Sequence, residues 1–419
     1  MDQPTSTAEP STDSGRRIGS RELVALLGLS TSSAALGIDA MLPAFGDMRA
    51  DLGLAPDSTA VGAIITSFFA GLAVGQAAYG PLADRYGRRP VLRAAFVGYV
   101  VFALAASAAP GLGSLVVLRF AWGLAAAGPR VVTMAIVRDS YEGTQVSQVM
   151  SSLMAVFILV PIIAPLVGAG IVSVSSWRVL FLFCAGFAAL LLAWTFRLHE
   201  TLHPEHRMEL SAERVLRATR SVLTNRSSAG HLLSVTALMS AFVAYLSGFE
   251  SVIDQTYDLV DWFPVFFGLL AAVMGLFMLV NKRLVARFGS LDVTRGALGA
   301  ELVIAAAFSL VATVADGRPP LWLFLTGMAG LLACNALALP NLTALAIEPM
   351  GAIAGTAASV IGALQTGGGA IIGGLIVAGF DGTAAPLIYA FLGCAVGSFG
   401  LSQWARRGVV EEPVPADAG

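Results

Sequence analysis

The chain has 419 residues, of which 56% are hydrophobic and only 12% charged, and its mean hydropathy is +0.78. Globular domains carry about 25% charged residues, so this composition excludes an ordinary soluble enzyme and predicts a membrane protein. The formal net charge of −2 points to no particular partner, and no nucleic acid is expected to bind. Three isolated cysteines form no CxxC pair, so neither redox chemistry nor a metal site is expected.

Apolar runs follow one another along the whole chain. Each is long enough to cross a membrane, because roughly 20 helical residues span a hydrocarbon core of about 30 Å. They lie at 22–45, 58–79, 90–109, 113–136, 147–171, 177–196, 229–250, 261–281, 292–314, 320–346, 352–379 and 384–405. The sequence therefore predicts an all-α polytopic membrane protein with twelve transmembrane helices.

The positions of Lys and Arg predict the orientation of these helices. Most of the 25 basic residues fall in the termini and in the loops on one side, whereas the loops on the other side keep only Arg49, Arg178 and Arg318. Cytoplasmic loops carry the excess of basic residues. We therefore expect both termini to be cytoplasmic and the protein to lie in the plasma (inner) membrane.

The longest polar segment divides the chain into two halves that repeat each other. "LADRYG" at 82–87 recurs as "LVARFG" at 284–289, 202 residues later. Such a repeat predicts two pseudo-two-fold-related six-helix bundles, the architecture of a secondary transporter. The predicted parts are a disordered cytoplasmic tail (1–21), an N-terminal bundle (22–196), a cytoplasmic linker with an amphipathic helix (197–228), a C-terminal bundle (229–405) and a cytoplasmic tail (406–419).

Two strings look catalytic but have simpler interpretations. "HETLH" at 199–203 has the spacing of a zinc hydrolase, yet Pro204 follows at once and a zinc site needs both histidines on one continuous helix. "GALQTGGGAIIGG" at 362–374 lacks the Lys-Ser/Thr of a phosphate-binding loop, and its glycines suit close helix packing. We expect no enzyme activity, no ATP site, no metal and no cofactor.

Ionisable residues inside the predicted helices are the best candidates for function, because they are costly in a membrane and tend to face a water-filled cavity. Asp39 and Arg119 each lie six residues from the outer end of their runs, roughly 9 Å deep at 1.5 Å per residue. Equal depth allows a pair that couples protons to transport, or a static ion pair between helices. Arg130 shares a helix face with Arg119, and Glu301 near the membrane centre is a second candidate proton carrier.

Other polar, small or aromatic residues could line the same cavity or only pack against neighbouring helices. These candidates for a cavity lining are Ser32, Trp122, Gly123, Asn335 and Asn341. In the fifth run, "VPIIAPLVGAG" predicts a bend and a packing seam, because proline removes backbone hydrogen bonds and small residues allow close approach. The residues of this bend are Pro161, Pro165, Gly168 and Gly170.

Several motifs together resemble the major facilitator superfamily. "GPLADRYGRRPVL" at 80–92 resembles its loop-2/3 signature, and "LRFAWGLAAAG" at 118–128 resembles its helix-four motif. "IDAMLPAFGDMRADLG" at 38–53 resembles the Bcr/CflA branch of drug:proton antiporters, and "APLVGAG" at 164–170 their helix-five motif. The resemblance covers roughly residues 20–405.

The resemblance implies roles for particular residues. Asp39 would be the acid that responds to protons or substrate, and Arg119 the residue that senses its state. Asp84, Arg88 and Asp139 would form an inner charge cluster that latches the outward-open form. The whole predicted cytoplasmic gate comprises Gly80, Asp84, Arg85, Gly87, Arg88, Arg89 and Asp139.

The chain departs from the family pattern at a few positions. Trp122 stands where the family usually has Gln, which leaves open how Arg119 is satisfied. Ala164 and Ala169 replace glycines of the helix-five motif. Ala286 occupies the position that corresponds to Asp84, so gating is expected to be asymmetric between the halves.

The function implied is proton-driven export of drugs by alternating access, with small-molecule drugs, protons and the lipid bilayer as partners and a monomer as the working unit. One alternative is a proton-coupled symporter that takes up a sugar or metabolite. A further alternative is a membrane sensor that transports nothing.

Overall fold

The computed structural model describes residues 19–142, 144–203, 205, 207 and 212–406. These residues form α-helices joined by short turns and single 3₁₀ turns, and no strand occurs among them. The helices are α1 (Ser20–Asp39), α2 (Phe45–Asp51), α3 (Gly62–Tyr86), α4 (Arg88–Ser107), α5 (Leu112–Ser140), α6 (Thr144–Val172), α7 (Trp177–Trp194), α8 (Ala212–Thr224), α9 (Arg226–Tyr257), α10 (Phe263–Phe288), α11 (Ser290–Val314), α12 (Leu321–Ile347), α13 (Ala354–Ala378) and α14 (Ala385–Arg406).

Twelve stretches of the described chain are long and apolar enough to cross a membrane, which confirms the predicted fold class. The first combines α1 and α2, and the others are α3–α7 and α9–α14. Helix α8 is short and polar and lies in the predicted linker. Most of the predicted N-terminal tail and most of the C-terminal tail lie outside the described residues. The predicted N-terminal tail is too long at its end, because Ser20 and Arg21 already belong to α1.

The structure carries the repeat that the loop motifs predict. Gly87 and Gly289 each end one helix and begin the next, with nearly the same left-handed backbone (φ 102°, ψ 158° and φ 83°, ψ 156°). Only glycine adopts such φ values without strain. The N half (α1–α7) and the C half (α9–α14) meet where α3 packs on α13 and α6 on α10. We call the end that carries α2 the outer end and the end that carries α8 the inner end.

Close approach of α3 to α5 holds the centre of the N half together. A Cβ atom at Gly123 would stand 2.0 Å from the carbonyl oxygen of Phe68, and one at Gly71 would stand 1.9 Å from that of Phe120. Small residues let transmembrane helices pack backbone to backbone. The two glycines therefore form one reciprocal crossing that no side chain can enter.

Gly123→Ala is expected to destabilise the protein markedly, because the two helices must separate to admit the methyl group. Overpacking a close-packed interior costs about 1–3 kcal/mol or more. Gly186→Ala in α7 is the matched control, since nothing lies within 4 Å of its Cβ position and alanine favours a helix by about 0.5–1 kcal/mol. Thermal unfolding in detergent measures both variants. Equal stability of the two would contradict the crossing.

Candidate functional site

The first membrane span is broken at its acidic residue. Helix α1 ends at Asp39, and a turn and a 3₁₀ segment (Leu42–Ala44) separate it from α2. Asp39 is 5% exposed, and its side chain has no hydrogen bond or ion pair within the described chain. Helix breaks at membrane depth occur where transporters bind ions or substrate. Asp39 is thus an unpaired acid at such a break.

Asp39 lies where elements of both halves converge. A Cβ at Gly168 of α6 would stand 1.9 Å from the carbonyl oxygen of Ala40, so this glycine brings α6 directly against the break. Tyr245 of α9, in the other half, is close enough to Asp39 for the two groups to interact electrostatically, and its hydroxyl has no partner. A change in the charge of Asp39 therefore reaches the interface between the halves.

Arg119 is fully buried and binds the end of α1. Its Nη1 donates to the carbonyl oxygen of Gly37 at 3.0 Å, and its Nε donates to that of Ile64 at 3.4 Å. Carbonyl groups in the last turn of a helix lack intrahelical partners and carry partial negative charge. Arg119 thus caps α1 two residues before Asp39.

Three aromatic rings complete the surroundings of Arg119. Its guanidinium carbon lies 4.3 Å from the ring centre of Phe68, 4.7 Å from that of Trp122 and 5.7 Å from that of Phe181. Aromatic faces attract cations most strongly where water is excluded. Trp122, the departure from the family pattern, thus gives Arg119 a ring in place of the usual amide.

Asp39 and Arg119 form no ion pair in this structure, although their equal depth allowed one. The guanidinium donates to two carbonyl oxygens through Nε and Nη1, its Nη2 has no hydrogen-bond partner within the described chain, and the carboxylate is left without a cation. The hydrogen bond from Arg119 to Gly37, two residues before Asp39, is one route by which the two side chains can influence each other. Arg130, on the same helix as Arg119, is exposed and lies 5.8 Å from the ring centre of Phe157.

Three predicted cavity-lining residues take part in helix packing, which is the second role that the sequence allowed them. Trp122 is fully buried and meets the rings of Phe68, Tyr99 and Phe181 edge to face. Gly123 forms the crossing with α3. Ser32 is buried and donates to the carbonyl oxygen of Gly28 in its own helix. Small and aromatic residues in a spanning helix serve packing as well as they serve a cavity.

Glu301 acquires a partner that the sequence did not reveal. It is fully buried on α11, and its Oε1 accepts from Asn335 Nδ2 of α12 at 2.9 Å. Its Oε2 and the Asn335 Oδ1 have no partner within the described chain. Both orphaned atoms are acceptors, so the site lacks a proton donor. Asn341 instead donates to Asn281 of α10 at 3.0 Å.

The inner charge cluster centres on Arg88. Its Nη1 lies 2.6 Å from Asp84 Oδ1, and its Nε lies 2.8 Å from Asp139 Oδ2 of α5. Asp84 therefore reaches α5 only through Arg88. Arg85 is exposed, and Arg89 donates to the carbonyl oxygen of Phe196 at 3.4 Å. Of the predicted gate, Gly80 faces the C half, since a Cβ there would stand 3.0 Å from Ser359 Oγ.

Glu200 of the "HETLH" segment joins this cluster. Residues 199–203 are not helical, so the two histidines do not share a helix face. Glu200 accepts from the backbone N–H groups of Arg88 and Arg89, at 2.8 and 3.2 Å. A carboxylate at a helix N-terminus satisfies donors that have no intrahelical partner. Within the described residues, no three His, Cys, Asp or Glu side chains are grouped as a metal would require.

Gly87→Ala is expected to disrupt the inner cluster, while Gly289→Ala should be milder. Both positions have positive φ, so both substitutions strain the backbone. A Cβ at Gly87 would also stand 2.5 Å from Glu200 Oε2, whereas nothing lies within 4 Å at Gly289. The difference in thermal stability between the two variants isolates the contact with Glu200. Equal losses would show that the contact contributes nothing.

Helix α6 runs without interruption from Thr144 to Val172, through both Pro161 and Pro165. Gly168 makes the contact with Ala40 described above, and a Cβ at Gly170 would meet nothing within 4 Å. The bend itself stays a prediction, and the packing seam is carried by Gly168.

One pair of functional candidates escaped the sequence analysis. In the sequence, Arg49 is one of the basic residues of the outer loops and Glu250 is the last residue of the seventh apolar run, and neither position indicates a function. In the structure their side chains meet, with Arg49 Nη2 2.6 Å from Glu250 Oε2. The one available signal was that Glu250 ends an apolar run that otherwise lacks charge.

A family model described as the Major Facilitator Superfamily matches residues 27–374. The chain belongs to the major facilitator superfamily. It is 29% identical to a bicyclomycin resistance protein homolog of Haemophilus influenzae over 88% of this chain and 92% of that one. It is 27% identical to multidrug resistance protein D of Escherichia coli, over 80% and 83%. These matches confirm the resemblance inferred from the motifs.

The fold of this superfamily member also matches solved transporter structures. The xylose transporter XylE of E. coli, in a partially occluded inward-open conformation, superposes with a TM-score of 0.70 over 95% of this chain and 98% of that one. The sequence identity is 13%, so this similarity concerns the fold alone. Transporters of this superfamily are in general carriers without enzymatic activity.

Proposed function

We propose that this protein exports drugs or other small amphipathic molecules in exchange for protons. The observation that carries the proposal is Asp39, a buried acid without a cationic partner at the break in the first span. Similarity to proteins named for bicyclomycin and multidrug resistance supports the choice of drugs as cargo. No cofactor and no ATP are needed, since the proton gradient drives transport.

In this proposal the inner end faces the cytoplasm, together with both termini, and the protein lies in the plasma membrane. Protons arriving from the outer side neutralise Asp39. The loss of its charge alters the end of α1 that Arg119 caps and the side that faces Tyr245. A proton shifts the equilibrium between the outward-open and outward-closed forms only if it binds one form more tightly than the other. Asp39 lies between the two halves, and this position supports a difference in its proton affinity between the two forms.

Glu301 is the second proton-binding group of the proposal. Glu301 Oε2 and Asn335 Oδ1 are both acceptors without a hydrogen-bond donor. Protonation of Oε2 would turn it into such a donor. The pair lies between α11 and α12, away from the break in α1. We therefore assign the main coupling role to Asp39.

The test combines cells with purified protein. In an efflux-deficient host, the protein should raise resistance to bicyclomycin or to a cationic dye such as ethidium, and a protonophore should abolish the effect. In liposomes, adding the same drug should release protons through the protein. Higher drug accumulation in cells that carry the protein would instead indicate uptake by symport. Absence of drug-dependent proton movement would indicate a sensor and would overturn the proposal.

A further inference from the structure

Arg49 makes the most extensive buried polar contact at the outer end. Its Nη1 and Nη2 donate to the two carboxylate oxygens of Glu250, at 3.1 and 2.6 Å. Nη2 also donates to Ser251 Oγ at 2.9 Å, and Nε donates to the carbonyl oxygen of Ser58 at 3.1 Å. Arg49 is 2% exposed and Glu250 1% exposed. The pair is therefore a bidentate, water-excluded ion pair.

This ion pair joins the two halves of the transporter. Arg49 and Ser58 belong to the N half, whereas Glu250 and Ser251 lie on α9 of the C half. Asp254, one turn further along α9, adds a second acid 3.8 Å from Arg49 Nη1. Every other ion pair that the structure gives for the described residues stays within one half or within α8.

The neighbouring ion pair of α2 stays within one half of the transporter. Asp51, two residues after Arg49, pairs with Arg178 of α7, and both residues belong to the N half. Trp177 also donates to Asp51, through Nε1 at 3.1 Å. Helix α2 is thus anchored to its own half by Asp51 and tied to the other half by Arg49.

Other contacts show that the halves are closed on each other beside this pair. A Cβ at Gly62 of α3 would stand 3.3 Å from the carbonyl oxygen of Ser247. A Cβ at Gly374 of α13 would stand 2.8 Å from Thr66 Cγ2 of α3. These contacts are apolar or involve backbone, so they have little directional preference. The charge pair supplies the directional contact at this end.

We propose that Arg49 and Glu250 form a latch that holds the outer end closed. The latch thereby sets the relative populations of the outward-closed and outward-open forms. The proposal rests on the proposed function, because alternating access requires the outer end to open. Separation leaves both charges without their partner until water reaches them, and a buried pair loses most when one partner is removed. Arg49 and Glu250 are positioning residues, since they act on the transport site only through α2 and α9.

The first test measures opening of the outer end without any substrate. Ser247 is 2% exposed in the closed contact. Ser247→Cys places a thiol at this position, and a membrane-impermeant maleimide applied to the outer side reports its exposure. The native Cys184 and Cys334 are buried and Cys394 is half-buried, and labelling of the chain without Ser247→Cys gives the background. Glu250→Gln should raise the labelling rate by at least about tenfold, the change that corresponds to losing one hydrogen bond to a charged group.

Matched variants separate the latch from general loosening. Asp51→Asn removes the ion pair of the same helix within the N half and should leave labelling unchanged. The double variant Arg49→Glu with Glu250→Arg restores opposite charges and should label more slowly than either single variant. Arg49→Lys keeps the charge without the bidentate geometry, and its labelling rate should lie between those of the wild type and Glu250→Gln. This variant tests the latch if Glu250→Gln does not fold. Equal labelling of Asp51→Asn and Glu250→Gln would overturn the latch.

A transport measurement gives a second, independent readout. If Glu250→Gln favours the outward-open form, fewer molecules present the site to the inner side, and the apparent KM for export rises by the same factor as that fraction falls. A purely structural defect would lower the maximal rate without this rise. Labelling does not depend on transport. An unchanged labelling rate in Glu250→Gln would therefore overturn the latch and leave the proposed export function standing. Absence of transport by the wild type would overturn the proposed function and leave the labelling result intact.

Discussion

Asp39→Asn is expected to reduce drug-dependent proton movement in liposomes to the level of liposomes without protein. Asparagine has nearly the same shape as aspartate but takes up and releases no proton, so the packing around the break in α1 is kept. The carboxylate has no hydrogen bond within the described chain, and its removal therefore costs little stability. The measurements are proton release on addition of drug and thermal unfolding of the same preparation.

Asp47→Asn is the matched control for this experiment. Asp47 lies on α2 a few residues further along, and its side chain is exposed. This variant should move protons at the wild-type rate. Full proton coupling in Asp39→Asn would contradict the assignment of Asp39. Loss of coupling in Glu301→Gln would then place the proton on Glu301.

Arg119→Met is expected to abolish transport while changing the free energy of unfolding by no more than about 1–2 kcal/mol. The wild-type guanidinium is buried without an acid, and such a charge is costly even with aromatic neighbours. Methionine fills a similar volume and adapts to irregular space. It leaves the carbonyl oxygen of Gly37 without its donor, which offsets the gain from removing the charge. Transport is lost because α1 is no longer capped beside Asp39.

Arg119→Ala separates the packing role of this residue from its charge. The truncated side chain leaves a cavity among Phe68, Trp122 and Phe181, and large-to-small substitutions in a packed interior cost about 2–5 kcal/mol. Thermal unfolding in detergent should therefore rank Arg119→Ala well below Arg119→Met, with both inactive in the transport assay. Activity in Arg119→Met would show that the positive charge at the end of α1 is not needed.

The spans could be predicted from the sequence because their signals are local. A run of about 20 apolar residues has few alternatives to a membrane helix. The cluster of Asp84, Arg88 and Asp139 was instead expected from the resemblance to the superfamily's motifs, because Arg88 and Asp139 are 51 positions apart and no local pattern pairs them. Gly87 and Gly289 hold the same position in the motif that recurs after 202 residues.

The surroundings of Arg119 could not be predicted, because its partners are mostly not defined by residue type. Every residue has a backbone carbonyl, so no sequence pattern marks Gly37 and Ile64 as acceptors. The pairing of Arg49 with Glu250 was missed for a different reason. The two residues are 201 positions apart, and only the packing of one half on the other brings them together.

The break after Asp39 has a consequence for how resistance could evolve. Helix α2 is a separate segment that carries Arg49 and Asp51, whereas the corresponding helix of the C half, α9, continues for 32 residues without a break. Substitutions at Arg49 can therefore alter how readily the outer end opens without changing Asp39 or Arg119. Under drug selection, some variants are expected to change the rate of efflux without changing which drugs are exported. We expect their substitutions to lie in α2.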